Sequence, residues 1–193
     1  MKAFKITFLV ALFASVFLSS CSYNTMVEKQ EAVSSQWGQV QNSYQRRADL
    51  IPNLVNTVKG YATHEQQTLT EVVEARAKAT QMTVNADDLT EENIQKYQQA
   101  QGQLSAALGK LLMVQEQYPD LKANQNFMAL QDELAGTENR ISVERNKYNT
   151  IVQDYNQYIR KFPQTIWSGW FGFDKKGYFE AEASSQTAPT VQF

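Results

Sequence analysis

The sequence predicts an all-α protein: an antiparallel up-and-down bundle of three to four long helices with an aromatic-rich C-terminal tail. Its four prolines stand at positions 52, 119, 163 and 189, so long stretches separate the helix breakers. Residues of high helix propensity, namely Gln, Glu, Ala, Lys and Leu, dominate these stretches. Apolar residues recur there at alternating spacings of three and four, which is typical of helices that pack along a common seam.

Composition excludes several classes of protein. The 193 residues are 42% hydrophobic and 20% charged, as in a globular chain. Because 18 Lys and Arg face 20 Asp and Glu, the net charge is -2 and gives no basic surplus for a phosphate backbone. One cysteine and one histidine exclude an internal disulfide and the usual Cys/His zinc site. We therefore expect no nucleic-acid partner, no metal and no cofactor.

The N-terminal segment has the layout of a secretory signal peptide. Lys2 and Lys5 precede an apolar run over residues 6–17, and small residues follow it up to Cys21. The run is well short of the roughly 20 residues that an α-helix needs to cross a bilayer. We predict that residues 1–20 are cleaved and that the mature chain begins at Cys21.

Cys21 is the predicted site of lipidation. Leu18-Ser19-Ser20-Cys21 resembles the bacterial lipobox, in which the cysteine becomes the acylated N-terminus. Each buried methylene contributes about 0.8 kcal/mol, so several acyl chains anchor a protein stably. Ser22 fits sorting to the outer membrane, facing the periplasm, if the host is Gram-negative. The alternative is an ordinary signal peptide with a coincidental cysteine.

Charge does not supply a second anchor. Residues 1–20 carry two lysines and no acidic residue, so their removal leaves a net charge of -4. Such a chain has no general attraction to anionic lipids. Membrane lipid would therefore hold the protein through acylated Cys21.

The first helical pattern contains Pro52. Proline removes the hydrogen bond to the carbonyl of Ala48 and disfavours helical backbone at Ile51, so the chain either kinks or turns back there. Asp49 is a candidate cap for a restarted helix. The unbroken seam favours a kink and three helices, whereas the proline favours a turn and four, and by a small margin we favour the turn. The seam positions are Val33, Trp37, Val40, Tyr44, Ile51, Val55, Val58, Ala62, Leu69, Val72 and Arg76.

Two further seams follow. One begins after Thr90, a candidate N-cap, and ends at Tyr118-Pro119. The next predicts a helix of roughly 40 residues, about 60 Å long, that ends at Phe162-Pro163. Short connections between the seams make successive helices antiparallel neighbours. The positions of the earlier seam are Ile94, Tyr97, Gln101, Leu104, Leu108, Leu111 and Gln115. Those of the later one are Phe127, Leu130, Leu134, Thr137, Ile141, Arg145, Tyr148, Val152, Tyr155 and Ile159.

Residues 21–163 thus form the predicted bundle, and residues 164–193 form a tail packed on it. Residues 162–193 hold eight of the 18 aromatic residues of the mature chain. In one interpretation the rings close the end of the bundle, because aromatic side chains bury large areas. In the other they form an interfacial or partner-binding patch. The candidate residues are Trp167, Trp170, Phe171 and Phe173.

The clearest polar candidate surrounds Arg47. This residue falls at a seam position, where it would lie against a facing helix and need a carboxylate partner. In one interpretation an arginine–glutamate network sets the register of the bundle. In the other, the guanidinium groups bind an anion or a peptide carboxylate. The candidate network is Arg46, Arg47, Asp49, Glu138 and Arg140, and the carboxylates considered as partners are Glu138, Glu144 and Glu133.

Several motifs resemble the signature of the LemA family over nearly all of residues 26–193. The resemblance implies an antiparallel helical bundle tethered to a bacterial membrane, usually by an N-terminal transmembrane helix, without an established enzymatic activity. Some relatives take part in magnetosome assembly. The lipobox-like Cys21 departs from the usual anchor. The motifs are Arg46-Arg47-Ala48-Asp49-Leu50-Ile51-Pro52-Asn53-Leu54-Val55, Tyr118-Pro119-Asp120-Leu121-Lys122-Ala123-Asn124, Glu138-Asn139-Arg140-Ile141, Tyr148-Asn149, Tyr155-Asn156, Gly172-Phe173 and Val191-Gln192-Phe193.

Together these observations predict a membrane-anchored, extracytoplasmic interaction or scaffold protein of the bacterial envelope, and not an enzyme. Its expected partners are membrane lipid and an envelope protein that no residue identifies. His64 lies off the seam without a second metal ligand at motif spacing, so we interpret it as a solvated or capping residue. The alternative function is a binding module for a small anion, a peptide or a cell-wall fragment, through the arginine cluster or the aromatic tail.

Overall fold

The computed structural model describes the backbone of residues 2–180 and the side chains of residues 22–180. This part of the chain is all-α, as predicted. The helices are α1 (Lys2–Tyr61), α2 (Gln66–Gln81), α3 (Glu91–Met113), α4 (Pro119–Lys122), α5 (Gln125–Arg160) and α6 (Gln164–Phe171). Single 3₁₀ turns at Ala86–Asp88 and Val114–Gln117 join them.

Helix α1 runs through Pro52 without a break, so the predicted turn at this proline is wrong. The chain reverses later, between Tyr61 and Gln66, where α1 ends and α2 begins. The seam predicted for this region therefore belongs to two helices, separated about ten residues beyond the proline. The reason is a contact from α2 to the carbonyl that Pro52 leaves without a helical partner, Arg76 Nε to Ala48 O at 2.8 Å.

The ends of α3 and α5 follow local sequence signals. Thr90 caps α3 as predicted, because its side chain accepts a hydrogen bond from the backbone N–H of Asn93. Asn124 caps α5 in the same way, accepting from the N–H of Phe127 at 2.9 Å. Helix α5 has 36 residues, close to the predicted length.

Helices α1 and α5 pack along each other. Their contacts join Lys29 to Asp154, Gln36 to Glu144, Arg47 to Glu138 and Arg46 to Glu133. Residues later in α1 contact residues that are, overall, earlier in α5. These two helices therefore run in opposite directions. The remaining long helices, α2 and α3, pack against each other.

Most seam positions are buried, and the core divides into two clusters. The first lies towards the N-terminal end of α1 and contains Trp37, Tyr97 and Tyr148. The second contains Ile51, Leu104 and Leu134, and lies towards the other end of α1. Between them the seams place a polar residue on each of three helices, namely Arg47, Gln101 and Thr137, all buried.

The tail separates into α6 and an extended segment over residues 173–180, which we call the C-terminal segment. Some predictions fall outside the described residues. These are the side chains of residues 1–21, including the apolar run and Cys21, and the end of the tail after residue 180.

Candidate functional site

The candidate residues do not form a single site, and Arg47 occupies the most elaborate environment among them. Its side chain is 2% exposed. One terminal nitrogen donates to Ser105 Oγ at 2.7 Å and to Glu138 Oε2 at 2.9 Å. The other donates to Gln101 Oε1 at 2.9 Å and to the backbone oxygen of Gln101 at 3.3 Å. The guanidinium also lies 5.2 Å from the ring centroid of Tyr44.

Arg47 therefore joins α1 to α3 and α5 at the level that separates the two core clusters. Both terminal nitrogens are engaged by groups of the protein itself, so neither is presented to an external carboxylate. Of the three carboxylates considered as partners of Arg47, Glu138 is the one that forms the ion pair. This arrangement supports the interpretation of Arg47 as part of a register-setting network.

The other members of the predicted cluster point to water. Arg46 lies 3.5 Å from Glu133, with more than half of its side chain exposed. Asp49 is exposed and accepts a hydrogen bond from Gln45 within α1. Arg140 is exposed as well, and its charge adds to the hydrogen bonds from Gln36 and Lys147 that lower the pKa of Glu144. Arg46, Arg47 and Asp49 thus do not converge on one ligand.

A second polar arrangement, absent from the sequence-based candidates, holds the C-terminal segment. The side-chain amide of Asn156 donates to the backbone oxygen of Lys176 at 2.8 Å and accepts from its N–H at 2.9 Å. Asn149 does the same to Phe179, at 2.8 and 2.9 Å. Gln98 of α3 makes the third such pair, with Glu180, at 3.0 and 3.1 Å. Three amides thus satisfy the segment's backbone much as a neighbouring strand would.

Other contacts tie this segment to the core. The hydroxyl of Tyr148 donates to the oxygen of Gly177, and that of Tyr155 donates to the oxygen of Asp174. Gly177 lies so close to α3 that a Cβ there would stand 2.7 Å from the Cα of Glu91. Phe179 is buried and stacks on Trp37, with ring centroids 5.9 Å apart. This part of the tail closes the bundle.

Burial also raises the pKa values of three core tyrosines. It raises the pKa of Tyr155 to about 12, with a further contribution from the charge of Asp174. It raises the pKa of Tyr97 and of Tyr148 well above the ordinary range. All three hydroxyls therefore keep their protons to a more alkaline pH than an exposed tyrosine does.

The predicted aromatic candidates divide between burial and exposure. Trp167 and Phe173 are half-buried against the first core cluster. Trp170 is 76% exposed and Phe171 is 55% exposed. Phe162, just before α6, and Ile166, in its first turn, are exposed as well. We call the exposed residues of this region the aromatic patch: Tyr23, Phe162, Ile166, Trp170 and Phe171.

The aromatic patch reaches the start of the described part of α1. The ring of Tyr23 lies 5.0 Å from that of Phe171 and 5.7 Å from that of Phe173, both edge to face. Such geometry is favourable for aromatic pairs. Tyr23 is two residues from Cys21, so the patch lies at the end of the bundle where the predicted lipid is attached.

The described side chains include no group of three or more His, Cys, Asp and Glu able to hold a metal ion. His64 is exposed in the turn between α1 and α2. Within the same described range, no helix is long and apolar enough to cross a membrane.

A comparison with protein families identifies the chain. The LemA family profile matches residues 36–193, which includes the Arg47 network and the C-terminal segment. The chain belongs to the LemA family. Residues 1–35, with the predicted signal peptide and lipobox, precede the matched range.

Three relatives show the breadth of the similarity. Magnetosome protein MamQ 2 of Paramagnetospirillum magneticum is 27% identical over 182 residues, which cover 86% of this chain and 67% of that protein. Protein LemA of Metamycoplasma hominis is 24% identical over 139 residues, 72% of this chain and 60% of the relative. Magnetosome protein MamQ of Magnetospirillum gryphiswaldense is 30% identical over 88 residues, 46% of this chain and 32% of the relative.

The structure gives two of the LemA-like motifs a physical role. Tyr148-Asn149 and Tyr155-Asn156 repeat the same dipeptide after seven residues, which places both asparagines on one face of α5. That repeat was the available signal for the amides that hold the C-terminal segment. Heptad spacing marks the two tyrosines as seam residues and gives no role to the asparagines beside them.

Proposed function

We propose that this LemA-family protein is a lipid-anchored, extracytoplasmic scaffold of the bacterial envelope, built as an up-and-down helical bundle and without enzymatic activity. Acylated Cys21 holds it at the membrane, on the periplasmic side of the outer membrane if the host is Gram-negative. An envelope protein binds the bundle.

One structural observation carries the proposal: the rigid bundle begins at the predicted anchor. Helix α1 contains Cys21 and continues to Tyr61, a rise of about 60 Å at 1.5 Å per residue. Lys29 and Arg47 pair with Asp154 and Glu138, so α5 packs beside α1 in the opposite direction. Antiparallel packing of two long helices supports an up-and-down bundle. A long helical bundle that is anchored at one end would hold each part of its surface at a defined distance from the membrane.

The lining of a cleft beside Gln101 supports a non-catalytic role. This cleft of about 250 Å³ is lined by amides, hydroxyls and apolar groups, Tyr44, Tyr97 and Gln101 among them. Burial raises the pKa of Tyr97 there, which further disfavours the phenolate that could act as a base. The lining includes no carboxylate, histidine or cysteine to act as a general base or nucleophile.

The alternative binding module loses one of its two candidate surfaces. An anion or peptide carboxylate at Arg47 would have to displace Ser105, Glu138 and Gln101 from the guanidinium. The aromatic patch remains as an exposed contact surface.

Replacement of Cys21 by Ser tests the anchor. We expect the variant to lose fatty-acid labelling, to remain as an unprocessed precursor, and to differ from a Ser22→Ala control that is still labelled. Unchanged labelling and unchanged membrane fractionation of the Cys21→Ser protein would overturn the proposal.

A separate experiment tests the scaffold role. A photocrosslinking residue at the exposed Val143 of α5 should capture a discrete envelope protein in cells. The same residue at the buried Val152 should capture none. Equal products at both positions would count against a specific partner on this surface.

A further inference from the structure

The aromatic patch has the composition of a membrane interface. Trp and Tyr concentrate where hydrocarbon meets headgroups, because their rings bury apolar area while their polar atoms stay hydrated. Phe is typical of the apolar face of helices that lie in this layer. Trp170 and Phe162 are the most exposed of its residues, at 76% and 80%. Ile166 stands one helical turn before Trp170 on α6, so these two side chains share a face.

The position of the patch identifies the surface that covers it. Tyr23 contacts Phe171 directly and stands two residues from Cys21 on the same continuous helix. Two residues of an α-helix span about 3 Å. Acyl chains on Cys21 would therefore bring the bilayer to the edge of the patch. The apolar run at residues 6–17 lies on the same side of Tyr23 and would do so too if it were retained.

Charge around the patch fits the same surface. Exposed Arg160 and Lys161 precede Phe162, and exposed Lys175 follows α6. Exposed Asp174 is the acidic residue among these neighbours. Residues 160–175 thus carry a local basic excess, although the mature protein is acidic overall and exposed Glu28 and Asp154 lie on α1 and α5. Anionic headgroups attract such cations at short range.

We propose that the aromatic patch inserts into the interfacial layer of the bilayer that holds the lipid anchor. It thereby forms a second contact that fixes the bundle against the membrane. The inference rests on the proposed lipid anchor and adds a contact that lipidation alone does not require. Membrane-facing rings at one end also orient the far end, near Tyr61, away from the bilayer.

Two exposed helical glycines make a matched test. A Cβ at Gly169, beside Trp170, or at Gly60, near the far end of α1, would meet no atom within 4 Å. Gly169→Cys and Gly60→Cys in the full chain can each carry an environment-sensitive fluorophore, because acylation blocks the thiol of Cys21. The labelled proteins are reconstituted from membranes into vesicles of phosphatidylethanolamine and phosphatidylglycerol that contain lipids with a quencher near the headgroup.

We expect blue-shifted emission and strong quenching at position 169, and water-like, unquenched emission at position 60. Adding Phe162→Glu and Trp170→Glu should abolish quenching at position 169 without changing membrane fractionation. Both residues are largely exposed, and the helical circular dichroism of the variant checks that the bundle remains folded.

The outcomes separate the two proposals. Water-like emission at position 169 in protein that still fractionates with membranes overturns the patch contact and leaves the anchor intact. Recovery of the protein in the soluble fraction overturns both. Equal quenching at positions 169 and 60 also overturns the inference, because the contact would then not be confined to the patch.

Discussion

The side chain of Arg76 donates a hydrogen bond to the backbone oxygen of Ala48 at 2.8 Å. Ala48 lies four residues before Pro52, so its oxygen has lost the helical partner that any other residue at position 52 would supply. An arginine of α2 thus replaces a missing bond inside α1. This contact joins the two helices and explains why α1 continues through a proline.

The Arg76–Ala48 contact predicts thermodynamic coupling between positions 76 and 52. Arg76→Met should lower the free energy of unfolding by about 1–3 kcal/mol in the natural chain, because a part-buried oxygen loses its donor. In a Pro52→Ala background the new N–H can bond to Ala48, so the cost should be clearly smaller. Urea unfolding of the four proteins in this double-mutant cycle measures the difference. Equal costs in both backgrounds would disprove the compensation.

Adjacent arginines should respond differently to the same substitution. Arg47→Gln leaves Gln101, Ser105 and Glu138 without their shared donor, so we expect a loss of about 2–3 kcal/mol. Arg46→Gln is the matched control. Its ion pair is long and exposed, so stability should change by no more than about 0.5 kcal/mol. Thermal and urea unfolding measure both, and an equally stable Arg47→Gln protein would refute the register-setting role.

The C-terminal segment approaches α3 closely enough to require glycine at one position. A methyl group at Gly177 would meet backbone atoms of Glu91 and Thr90 at under 3 Å, so Gly177→Ala must push the segment away from the bundle. We expect marked destabilisation and faster proteolysis of the tail. Gly136→Ala is the control, because a methyl group there meets nothing within 4 Å and replaces glycine inside a helix. That change should stabilise the protein by about 0.5–1 kcal/mol.

Alkaline pH should unfold the protein through its buried tyrosines. The pKa of Tyr155 rises from 10.0 to about 12 on folding, so the folded state holds this proton more tightly than the unfolded state does. The stabilisation is complete below the unfolded pKa and is lost as the pH rises through the folded one. Free energies of unfolding should therefore fall between pH 10 and 12. In Tyr155→Phe the slope with pH should be shallower, and an unchanged slope would contradict the assignment.

Much of the helical architecture could be predicted because its signals are local. Thr90 caps α3, and the seam of α5 continues from Phe127 to Ile159 as the heptad spacing indicates. The prediction at Pro52 was wrong because the deciding interaction is not local. Whether a proline ends a helix depends on what satisfies the orphaned carbonyl, and here the donor comes from Arg76, 28 residues from Ala48.

The candidate residues likewise had some properties that the sequence predicted and others that depend on tertiary packing. Heptad phase placed Arg47 on the inner face, but it was compatible with three different carboxylate partners. Only the packing of α5 against α1 shows that Glu138 is the partner. The aromatic content of the tail was evident, whereas its division into buried Phe179 and exposed Trp170 was not. Each ring's environment depends on how α6 and the extended segment lie against α1, α3 and α5.

The sequence by itself determined α3 and α5 of this LemA-family chain and which face of each is buried, because propensity, capping and hydrophobic period act over a few residues. Only the tertiary structure decided that Pro52 lies inside α1 and that three amides hold the C-terminal segment. It also placed the exposed ring of Phe171 beside Tyr23. The physical reason is that these features depend on hydrogen bonds and ring contacts between residues far apart in the chain, which local periodicity does not encode.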